Sequence, residues 1–476
     1  MSWPEQPVIY EINTAVWLGE LSRAEGHQIT LGDVPASAWH AVTPVGVDAV
    51  WLMGVWERSV LGLAIANAHP GLRASFHEAL PDLRAEDVAG SPYCVQRYVV
   101  ADAFGGDEGL AKARAELAAR GVRLILDYVP NHVAPDHPWV VDHPEFFVRG
   151  TADDYTHDPR SWLVVGGNVL ARGKDPYFPA WPDVVQLDAF SPAFRAAATM
   201  TLGSVAARCD GIRCDMAMLV TNEVFARTWH RTPPEQDFWP EVIGALRAGH
   251  PETVLIAEAY WDMEWTLQQQ GFNFCYDKRL YDRFVGGGAG VREHLRADPG
   301  YQARLLRFLE NQDEPRIASE LPPAAARAAA VAIATLPGAT LWHEGQFEGR
   351  RVRPPVFLAR RPDEPLDHDL AAWYRRLLAV VHDHQVRLGE WRLLEAEGWP
   401  DNRSCRRLLA WTWTAARGAR HVVVVNFSDQ PAQGLLPVEL HRYTDLLDGM
   451  VYEQDDDLSP LYVALGAWGC HLFAAA

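Results

Sequence analysis

The chain up to Trp342 alternates short apolar runs with amphipathic stretches of helical period. Fully apolar strands separated by helices are typical of a parallel sheet that helices cover on its outside. Eight such units are the number that closes a (β/α)8 barrel, so the predicted fold is α/β with a TIM barrel. The predicted strands are Val8–Ile12, Val47–Leu52, Val122–Leu126, Gly211–Asp215, Thr253–Glu258, Phe272–Tyr276, Leu305–Leu309 and Ala339–Trp342.

Local signals predict where two of the intervening helices lie. Asp107 is expected to cap a helix that ends at Gly121, because glycine accepts the left-handed backbone that stops a helix. The Ala-rich segment Pro323–Ala334 has the length of a helix and is predicted as the helix before the eighth strand.

Two segments depart from the strand–helix alternation. Residues 133–190, rich in Pro, Asp, Trp and Tyr, are too many for a structureless loop and predict a small inserted domain after strand three. The barrel would then comprise residues 1–132 and 191–390. The rest, 391–476, is predicted to be a C-terminal antiparallel β-sandwich domain, with strands at Leu408–Trp413, His421–Asn426, Gly434–Leu436 and Trp468–Phe473.

Charge and composition narrow the partners. The 476 residues include 62 Asp and Glu against 43 Lys and Arg, a formal net charge of −19. Such an acidic surface repels nucleic-acid phosphates and anionic membranes, so neither is an expected partner. The six cysteines form no C-x-x-C pair, the first ten residues show no leader pattern, and no apolar run is long enough to span a membrane. We therefore expect a cytoplasmic protein with reduced thiols.

Acids follow four of the predicted strands with unusual regularity: Asp127, Asp215, Glu258 and Asp313. A single Asp after a strand is usually a helix cap. Strand carboxyl ends of a barrel face its active site, however, and several carboxylates on one rim repel each other. Such a cluster is typical of metal binding or acid–base chemistry. Because no H-x-x-x-H or similar ligand spacing accompanies the acids, acid–base chemistry is favoured and no metal site is predicted.

Four segments carry these acids: Asp127–His132 (DYVPNH), Gly211–Asp215 (GIRCD), Ile256–Glu258 (IAE) and Leu309–Asp313 (LENQD). In this order, and each at a predicted strand end, they resemble motifs of the α-amylase superfamily of retaining glycosidases and transglycosylases. The resemblance extends over nearly the whole chain.

The resemblance implies a role for three of the acids. Asp215 would be the nucleophile that attacks the anomeric carbon. Glu258 would protonate the departing oxygen and then deprotonate the incoming water or sugar hydroxyl. Asp313 would hold hydroxyls of the cleaved sugar and favour its distorted form. Retention requires one ionised carboxylate and one protonated acid about 5–5.5 Å apart.

Seven further residues take roles from the resemblance. The expected substrate-binding residues are Arg213, His132, Gln312, Tyr93 and Asn311, while Asp127 and Asn131 are expected to brace the loop after strand three. Arg213 lies two residues before Asp215 on the same strand face, so we also expect it to keep the nucleophile ionised. Tyr93 is either a ring stacked beneath the sugar or an ordinary buried ring.

The chain also departs from the family pattern. Gln312 stands where the family has a histidine; it can donate a hydrogen bond but cannot carry a charge. Met218 and Leu219 stand near the family's usual Lys and His, whose backbone carbonyl often helps to bind structural calcium. No cofactor is expected, and a structural calcium ion is left open. These departures argue against a standard endo-α-amylase.

Two features leave alternatives open. Four tryptophans at or just past strand ends are either walls of sugar subsites or core residues: Trp56, Trp261, Trp265 and Trp342. A basic segment, Arg350–Arg353 with Arg360 and Arg361, either reaches a phosphate or sulfonate on the substrate or pairs with Asp363 and Glu364 at the surface. Charge runs usually do the latter.

The sequence therefore predicts a retaining glycoside hydrolase that acts on short α-glucans, maltooligosaccharides or α-glucoside disaccharides through a covalent glycosyl-enzyme. Transfer or isomerisation, as in trehalose-synthase-like or glucanotransferase relatives, is the nearest alternative, because it differs only in how well the acceptor site excludes water. A non-catalytic barrel that binds sugar or a partner protein is the alternative from another class.

Overall fold

The computed structural model describes residues 2–416, 418, 420–454 and 460–475. Eight parallel strands close into a barrel in which each strand pairs with its predecessor in the chain and the eighth pairs with the first. The strands are Val8–Asn13, Ala49–Met53, Arg123–Tyr128, Gly211–Cys214, Val254–Ala257, Phe274–Tyr276, Leu305–Arg307 and Ala339–His343. Each overlaps a predicted strand, so the predicted barrel is confirmed.

Burial on both faces explains why these strands are mostly apolar. Ile9, Ile125 and Ile256 point inward and fill the lumen, whereas their neighbours Leu124 and Leu255 pack outward beneath the helices. Neither face meets water, which removes the alternation of polar and apolar residues that a half-exposed strand shows.

Helices surround the barrel on its outside. The helix before the third strand begins at Gly106 and ends at Ala119, and Gly121 follows with a φ of 77°, as predicted. The predicted cap was wrong: Gly105 precedes the helix, and Asp107 lies inside its first turn, where a carboxylate still interacts favourably with the helix dipole. The helix Pro323–Thr335 precedes the eighth strand as expected.

The other helices outside the inserted segment are Thr14–Glu25, Ala36–Val42, Val60–Ala68, Pro70–Ala79, Pro192–Ala206, Asn222–Trp229, Phe238–Gly249, Glu264–Gln269, Lys278–Val285, Val291–Leu295, Pro299–Gln302, Ile317–Glu320 and His368–Asp383. Short 3-10 turns occur at Ala85–Asp87, Asp102–Phe104, Pro144–Phe146, Ala217–Val220 and Ser404–Arg407. Among the described residues, no helix combines the length and apolarity needed to cross a bilayer.

The segment predicted as an inserted domain leaves the barrel directly after the third strand. Its first strand, His132–Val133, pairs with its last, Val185–Gln186, and so brings both ends of the segment back to the barrel rim. Between them lie the hairpin Trp162–Val165 and Asn168–Ala171 and two short helices, Trp139–Asp142 and Ala152–His157. A separate hairpin, Trp56–Arg58 with Val95–Val100, follows the second barrel strand.

The C-terminal part is antiparallel, as predicted. Six strands form one sheet in the order Glu390–Leu394, Leu408–Thr414, Arg420–Asn426, Cys470–Ala475, Arg442–Asp445 and Val451–Glu453. A two-stranded ribbon, Ala432–Leu436 with Leu461–Leu465, covers one face of it. Of the predicted segments 1–132 and 391–476, residue 1 and residues 417, 419, 455–459 and 476 lie outside the described part.

The other face of the C-terminal sheet packs on the barrel. The indole N–H groups of Trp411 and Trp413 both donate to the backbone carbonyl of Thr335, at distances of 3.2 and 2.7 Å. Thr335 is the last residue of the helix before the eighth strand. These two bonds tie the sheet to the end of that helix.

We expect Arg307→Met to lower the free energy of unfolding by about 3–5 kcal/mol. Arg307 is fully buried in the seventh strand and contacts the carboxylate of Asp277, which otherwise receives only a 2.9 Å contact from His294 and the Leu280 amide among its described partners. Removing the guanidinium leaves that carboxylate undercompensated. Urea unfolding followed by tryptophan fluorescence measures the loss.

Arg296→Met is the matched control. Arg296 pairs with Glu395 at 2.8 Å, but both side chains are about half exposed, so the change should leave the free energy of unfolding nearly unaltered. Equal losses in the two variants would contradict the importance of the buried pair.

Candidate active site

A cavity of about 450 Å3 opens at the carboxyl ends of the barrel strands. Its volume lies in the range of small-ligand sites. Barrel loops and the inserted segment both contribute to its wall. The lining residues are Ser91, Tyr93, His132, Asp175, Phe178, Trp181, Asp183, Val184, Asp215, Met216, Glu258, Tyr260, Trp261, Asp313 and Phe357.

One guanidinium joins two of the predicted catalytic acids. Arg213 Nη1 donates to Asp215 Oδ1 at 2.6 Å, and Nη2 lies 2.7 Å from Glu258 Oε2. Asp127 Oδ1 is 3.7 Å from the same Nη1. Arg213 is 1% exposed, so the charge that balances these carboxylates is held beneath the pocket and away from solvent. The strand register produces this grouping, because Arg213 pairs directly with Asp127 on one side and with Ile256 on the other.

Glu258 has one ion-pair contact and two hydrogen bonds. Besides Arg213, the backbone N–H of Met216 donates to Oε2 at 2.6 Å, and the hydroxyl of Tyr260 donates to Oε1 at 2.9 Å. Because the Arg213 guanidinium and the Met216 N–H both lie against Oε2, a transferable proton is accommodated on Oε1, on the side of Tyr260.

Asp313 reaches the pocket from the seventh strand's loop. The amide of Gln312 donates both to Asp313 Oδ2 and to the Tyr93 hydroxyl, each at 2.8 Å. The side-chain oxygen of Asn311 accepts from the backbone N–H groups of Asp313 and Glu314, both at 2.9 Å. Arg353 donates to the backbone carbonyl of Asp313 at 2.5 Å. The loop that carries the third acid is therefore fixed from several sides.

Burial and mutual repulsion raise the pKa values of the three acids. Burial raises the pKa of both Asp215 and Glu258, and Arg213 opposes the rise for each. Repulsion from Asp215 raises the pKa of Glu258 further, so the pair favours a state with one carboxylate ionised and the other protonated. Solvent reaches Asp313 from the pocket mouth. Its position among buried groups nevertheless raises its pKa, first through desolvation and then through repulsion from Glu258 and Asp215.

Two further groups complete the electrostatic picture. Burial lowers the pKa of His132 to about 4, so this ring is a neutral hydrogen-bonding group near neutral pH. Burial raises the pKa of Asp127 to about 7, and Arg213 counteracts the rise.

Strained backbone occurs at the pocket wall. Met216, Trp261 and Asp262 have φ angles of 41°, 61° and 62°, values that non-glycine residues rarely adopt. Each costs on the order of 1–3 kcal/mol and persists only where the surroundings enforce it. The strain turns the Met216 amide toward Glu258 and coincides with the Trp261 ring standing on the pocket wall.

Asp127 and Asn131 occupy bracing positions. Asp127 Oδ2 accepts from the Gly54 N–H at 2.9 Å, and its backbone carbonyl accepts from the Trp56 indole at 2.8 Å. The side-chain oxygen of Asn131 accepts from the Gln186 amide at 2.8 Å. These bonds connect the third strand to the second and to the last strand of the inserted segment.

The residues around Asn131 do not fit a structural calcium ion. Gln186 Nε2 donates to the Asn131 backbone carbonyl, to Asn131 Oδ1 and to the Leu187 carbonyl, at 2.9, 2.8 and 3.0 Å. The oxygens that a hard cation prefers there are already bound by an amide nitrogen. Within the described residues, no group of three or more His, Cys, Asp or Glu side chains is arranged to hold a metal ion.

The structure corrects part of the predicted substrate-binding set. His132 and Tyr93 line the pocket, but Arg213, Gln312 and Asn311 do not. Their polar atoms contact the acids or the loop backbone instead, so they lie one layer behind the wall. Strand-end position alone does not distinguish a residue that faces the pocket from one that supports it.

The structure also decides between the alternatives for the four tryptophans and for the basic segment. Of the four tryptophans in question, Trp261 lines the pocket, Trp56 and Trp342 are buried in the core, and Trp265 is exposed away from the lining. Arg360 and Arg361 pair with distant acids, namely Asp82, Asp87 and Glu20. The interpretation as a substrate-phosphate site gains no support from these pairs.

Sequence reasoning missed several residues of the wall. Tyr260 lies two positions after Glu258, so strand alternation could have placed it beside the acid. Phe178, Trp181 and Asp183 come from the inserted segment, and Phe357 from the loop after the eighth strand. No local pattern marks these four, because their position depends on how long loops fold back over the rim.

Comparisons with known proteins agree with the fold. No protein-family model matches the chain. The α-amylase MalA of Haloarcula japonica is 27% identical over 461 residues, which cover 94% of this chain and 59% of that protein. The chain thus spans about three-fifths of the length of that relative.

Solved structures resemble the whole chain. The noncanonic maltogenic α-amylase AmyB of Thermotoga neapolitana superposes with a TM-score of 0.70 at 18% identity over 99% of both chains. The cyclic α-maltosyl-(1→6)-maltose hydrolase of Arthrobacter globiformis gives 0.66 at 16% identity over 100% of both. Sequence similarity along most of the chain, the four strand-end motifs and the shared barrel make this chain similar to proteins of the α-amylase superfamily.

Proposed function

We propose that the protein is a retaining glycoside hydrolase that cleaves α-glucosidic bonds of short α-glucans, maltooligosaccharides or α-glucoside disaccharides through a covalent glycosyl-enzyme. The observation that carries the proposal is the guanidinium of Arg213, which contacts both Asp215 and Glu258 at the pocket wall. This contact keeps two carboxylates together, and their mutual repulsion favours one ionised and one protonated group, as the proposed reaction requires.

In the first step, an oxygen of Asp215 attacks the anomeric carbon while the glycosidic bond breaks. Glu258 donates its proton to the departing oxygen, which leaves as a hydroxyl. The developing charge on Glu258 is stabilised by Arg213, the Met216 N–H and the Tyr260 hydroxyl, which already point at its oxygens.

In the second step, Glu258 accepts a proton from water, and the resulting hydroxide attacks the anomeric carbon. The bond to Asp215 breaks, and the carboxylate returns to its place on Arg213. Two inversions at one carbon give overall retention.

Asp313 is proposed to hold hydroxyls of the sugar undergoing cleavage. Gln312 positions it, because its amide bridges Asp313 and Tyr93. A neutral glutamine keeps the hydrogen bond that a histidine would donate and adds no positive charge. Tyr93 and the neutral ring of His132 line the same pocket.

The size of the pocket supports short substrates. A volume of about 450 Å3 suits a short saccharide better than a long glucan chain. Among its relatives in fold, one is described as maltogenic and another as a maltosyl-maltose hydrolase. The net charge of −19 supports a neutral saccharide partner and disfavours nucleic acid and anionic membranes.

Incubation with maltose, sucrose, trehalose and maltotetraose tests the reaction type. Hydrolysis gives free glucose and shorter oligosaccharides. NMR of the fresh products should show that their new reducing end is first released as the α-anomer. Rearranged disaccharides as the main products would favour the transferase alternative, and no turnover of any of them would favour a binding module.

Glucosyl fluoride separates the roles of the two acids, because fluoride departs without a proton. We expect Asp215→Asn to lose at least about a thousandfold in fluoride release, since no nucleophile remains. Glu258→Gln should instead release about one fluoride per enzyme rapidly and then stall, because deglycosylation lacks its base. Intact-protein mass spectrometry should detect one added hexosyl group on this variant.

Asp48→Asn is the control for these changes. Asp48 accepts from the Val8 N–H at 2.9 Å, at the start of the first barrel strand and outside the pocket lining. This variant should release fluoride from glucosyl fluoride at the rate of the parent enzyme. If Asp215→Asn released fluoride at the parental rate, the assignment of Asp215 as the nucleophile would be refuted.

Tyr260→Phe should extend activity to higher pH. The Tyr260 hydroxyl stabilises the ionised form of Glu258 and so lowers its pKa. Without it the pKa rises, Glu258 stays protonated to higher pH, and the alkaline limb of kcat/KM moves upward by up to about one unit. Tyr301→Phe, outside the pocket lining, should leave the profile in place. A downward shift in Tyr260→Phe would refute the assignment of Glu258 as the acid.

We also propose that no calcium is needed for stability. Excess EDTA should leave the thermal midpoint unchanged, because the Gln186 amide already satisfies the oxygens around Asn131. Gln186→Ala should lower the stability by several kcal/mol through the loss of these buried bonds, about 1 kcal/mol or more for each. A midpoint that falls with EDTA and recovers with added calcium would contradict the proposal.

A further inference from the structure

Asp183 is an acid on the pocket wall that the proposed mechanism does not use. It comes from the inserted segment, is 4% exposed and lines the same cavity as Asp215, Glu258 and Asp313. Its Oδ2 is buried and has no hydrogen-bond partner within the described residues. A buried polar atom without a partner is energetically unfavourable, so this arrangement destabilises the protein unless a ligand completes it.

The backbone around Asp183 is firmly held. Cys94 Sγ donates to its carbonyl at 3.0 Å, and Arg172 donates to the carbonyl of the preceding Pro182. The carbonyl of the following Val184 accepts from the Gly173 N–H at 3.2 Å. These contacts hold the backbone at Asp183 and at the residues before and after it, while Asp183 Oδ2 stays without a partner in the described residues.

We propose that Asp183 is a substrate-binding residue, whose carboxylate accepts a hydrogen bond from a sugar hydroxyl in the part of the pocket walled by the inserted segment. The inference rests on the proposed function, and it assigns part of the saccharide specificity to a residue outside the strand-end motifs.

The neighbours of Asp183 fit a sugar better than an anionic ligand. Trp181 and Val184 line the same stretch of wall, and the Trp181 ring lies 5.2 Å from that of His132. A flat apolar ring beside a hydrogen-bond acceptor matches the two faces of a sugar. No Lys or Arg is among the described residues that line the cavity, whereas five carboxyl groups are, so an anionic substituent would be repelled.

The charge state of Asp183 agrees with an acceptor role. Burial raises its pKa to about 6, while a bond to its own backbone amide and the nearby Arg172 oppose the rise. The group is therefore mostly ionised near neutral pH. Arg172 donates to the Pro182 carbonyl, and Asp183 Oδ2 has no hydrogen-bond partner within the described residues, so this oxygen is available to a ligand.

Maltosides that lack one hydroxyl at a time, on either ring, test the proposal in the full-length enzyme. For the parent, removing the hydroxyl that binds Asp183 should lower kcat/KM about 10- to 100-fold. Asp183→Ala should lose a similar factor with the complete substrate, mainly through KM, and should no longer discriminate against that one deoxy compound. Asp183→Asn should lose less, since its amide oxygen still accepts a hydrogen bond.

Asp153→Ala is the matched control, because it removes the same charge from an exposed helix of the same segment. For this variant, each maltoside that lacks one hydroxyl should show the same loss in kcat/KM as it does for the parent. If Asp183→Ala also retains every penalty of the parent, the proposal is overturned.

Binding measured without turnover distinguishes this inference from the proposed function. Calorimetry of maltose and its deoxy derivatives with Asp215→Asn, and with the double variant that adds Asp183→Ala, requires no cleavage. Binding that depends on Asp183 supports the inference even if the parent hydrolyses nothing. Binding of equal strength in both proteins, or no binding to either, refutes it.

Discussion

The candidate site depends on one buried cation. Arg213 is 1% exposed and surrounded by Asp215, Glu258 and Asp127, and the rings of Trp51 and Tyr93 lie about 5 Å from its guanidinium carbon. A buried charge is costly unless it is paired, and this holds for the guanidinium and for each carboxylate. Each therefore requires the others. The strand register supplies the arrangement, since it places Arg213 directly beside Asp127 and next to the strand that ends at Glu258.

This constraint explains how the pocket can be acidic and stable together. The cation lies beneath the wall, so the acids are neutralised from behind while their front faces stay open to a ligand. Gln312 and Asn311 act in the same manner on Asp313: they hold the acid and its loop without lining the cavity. The strained residues Met216 and Trp261 contribute an amide for Glu258 and an aromatic wall.

The sequence was sufficient for the parts of the molecule that local patterns determine. Short, mostly apolar runs such as Val122–Leu126 and Gly211–Asp215 located the barrel strands, and the acids at their ends lie together because parallel strands end on one rim. Strands such as Arg442–Asp445 were missed, because they are short and polar and are stabilised by partners far along the chain. The sequence did not show which residues line the pocket and which support the lining residues from behind. Asn311 and Arg213 were expected to touch substrate, and Asp183 was not considered. Which side chain faces the cavity depends on the packing of the long segment between residues 133 and 190.

The protonation states of Asp215 and Glu258, the two acids that contact Arg213, test the proposed mechanism most directly. Neutron diffraction from crystals kept at the pH of maximal turnover locates each exchangeable deuteron. The account predicts a bare Asp215 and a deuteron on Oε1 of Glu258, beside Tyr260. A deuteron on Asp215 with none on Glu258 would contradict it, because the proposed nucleophile and acid would then have each other's charge.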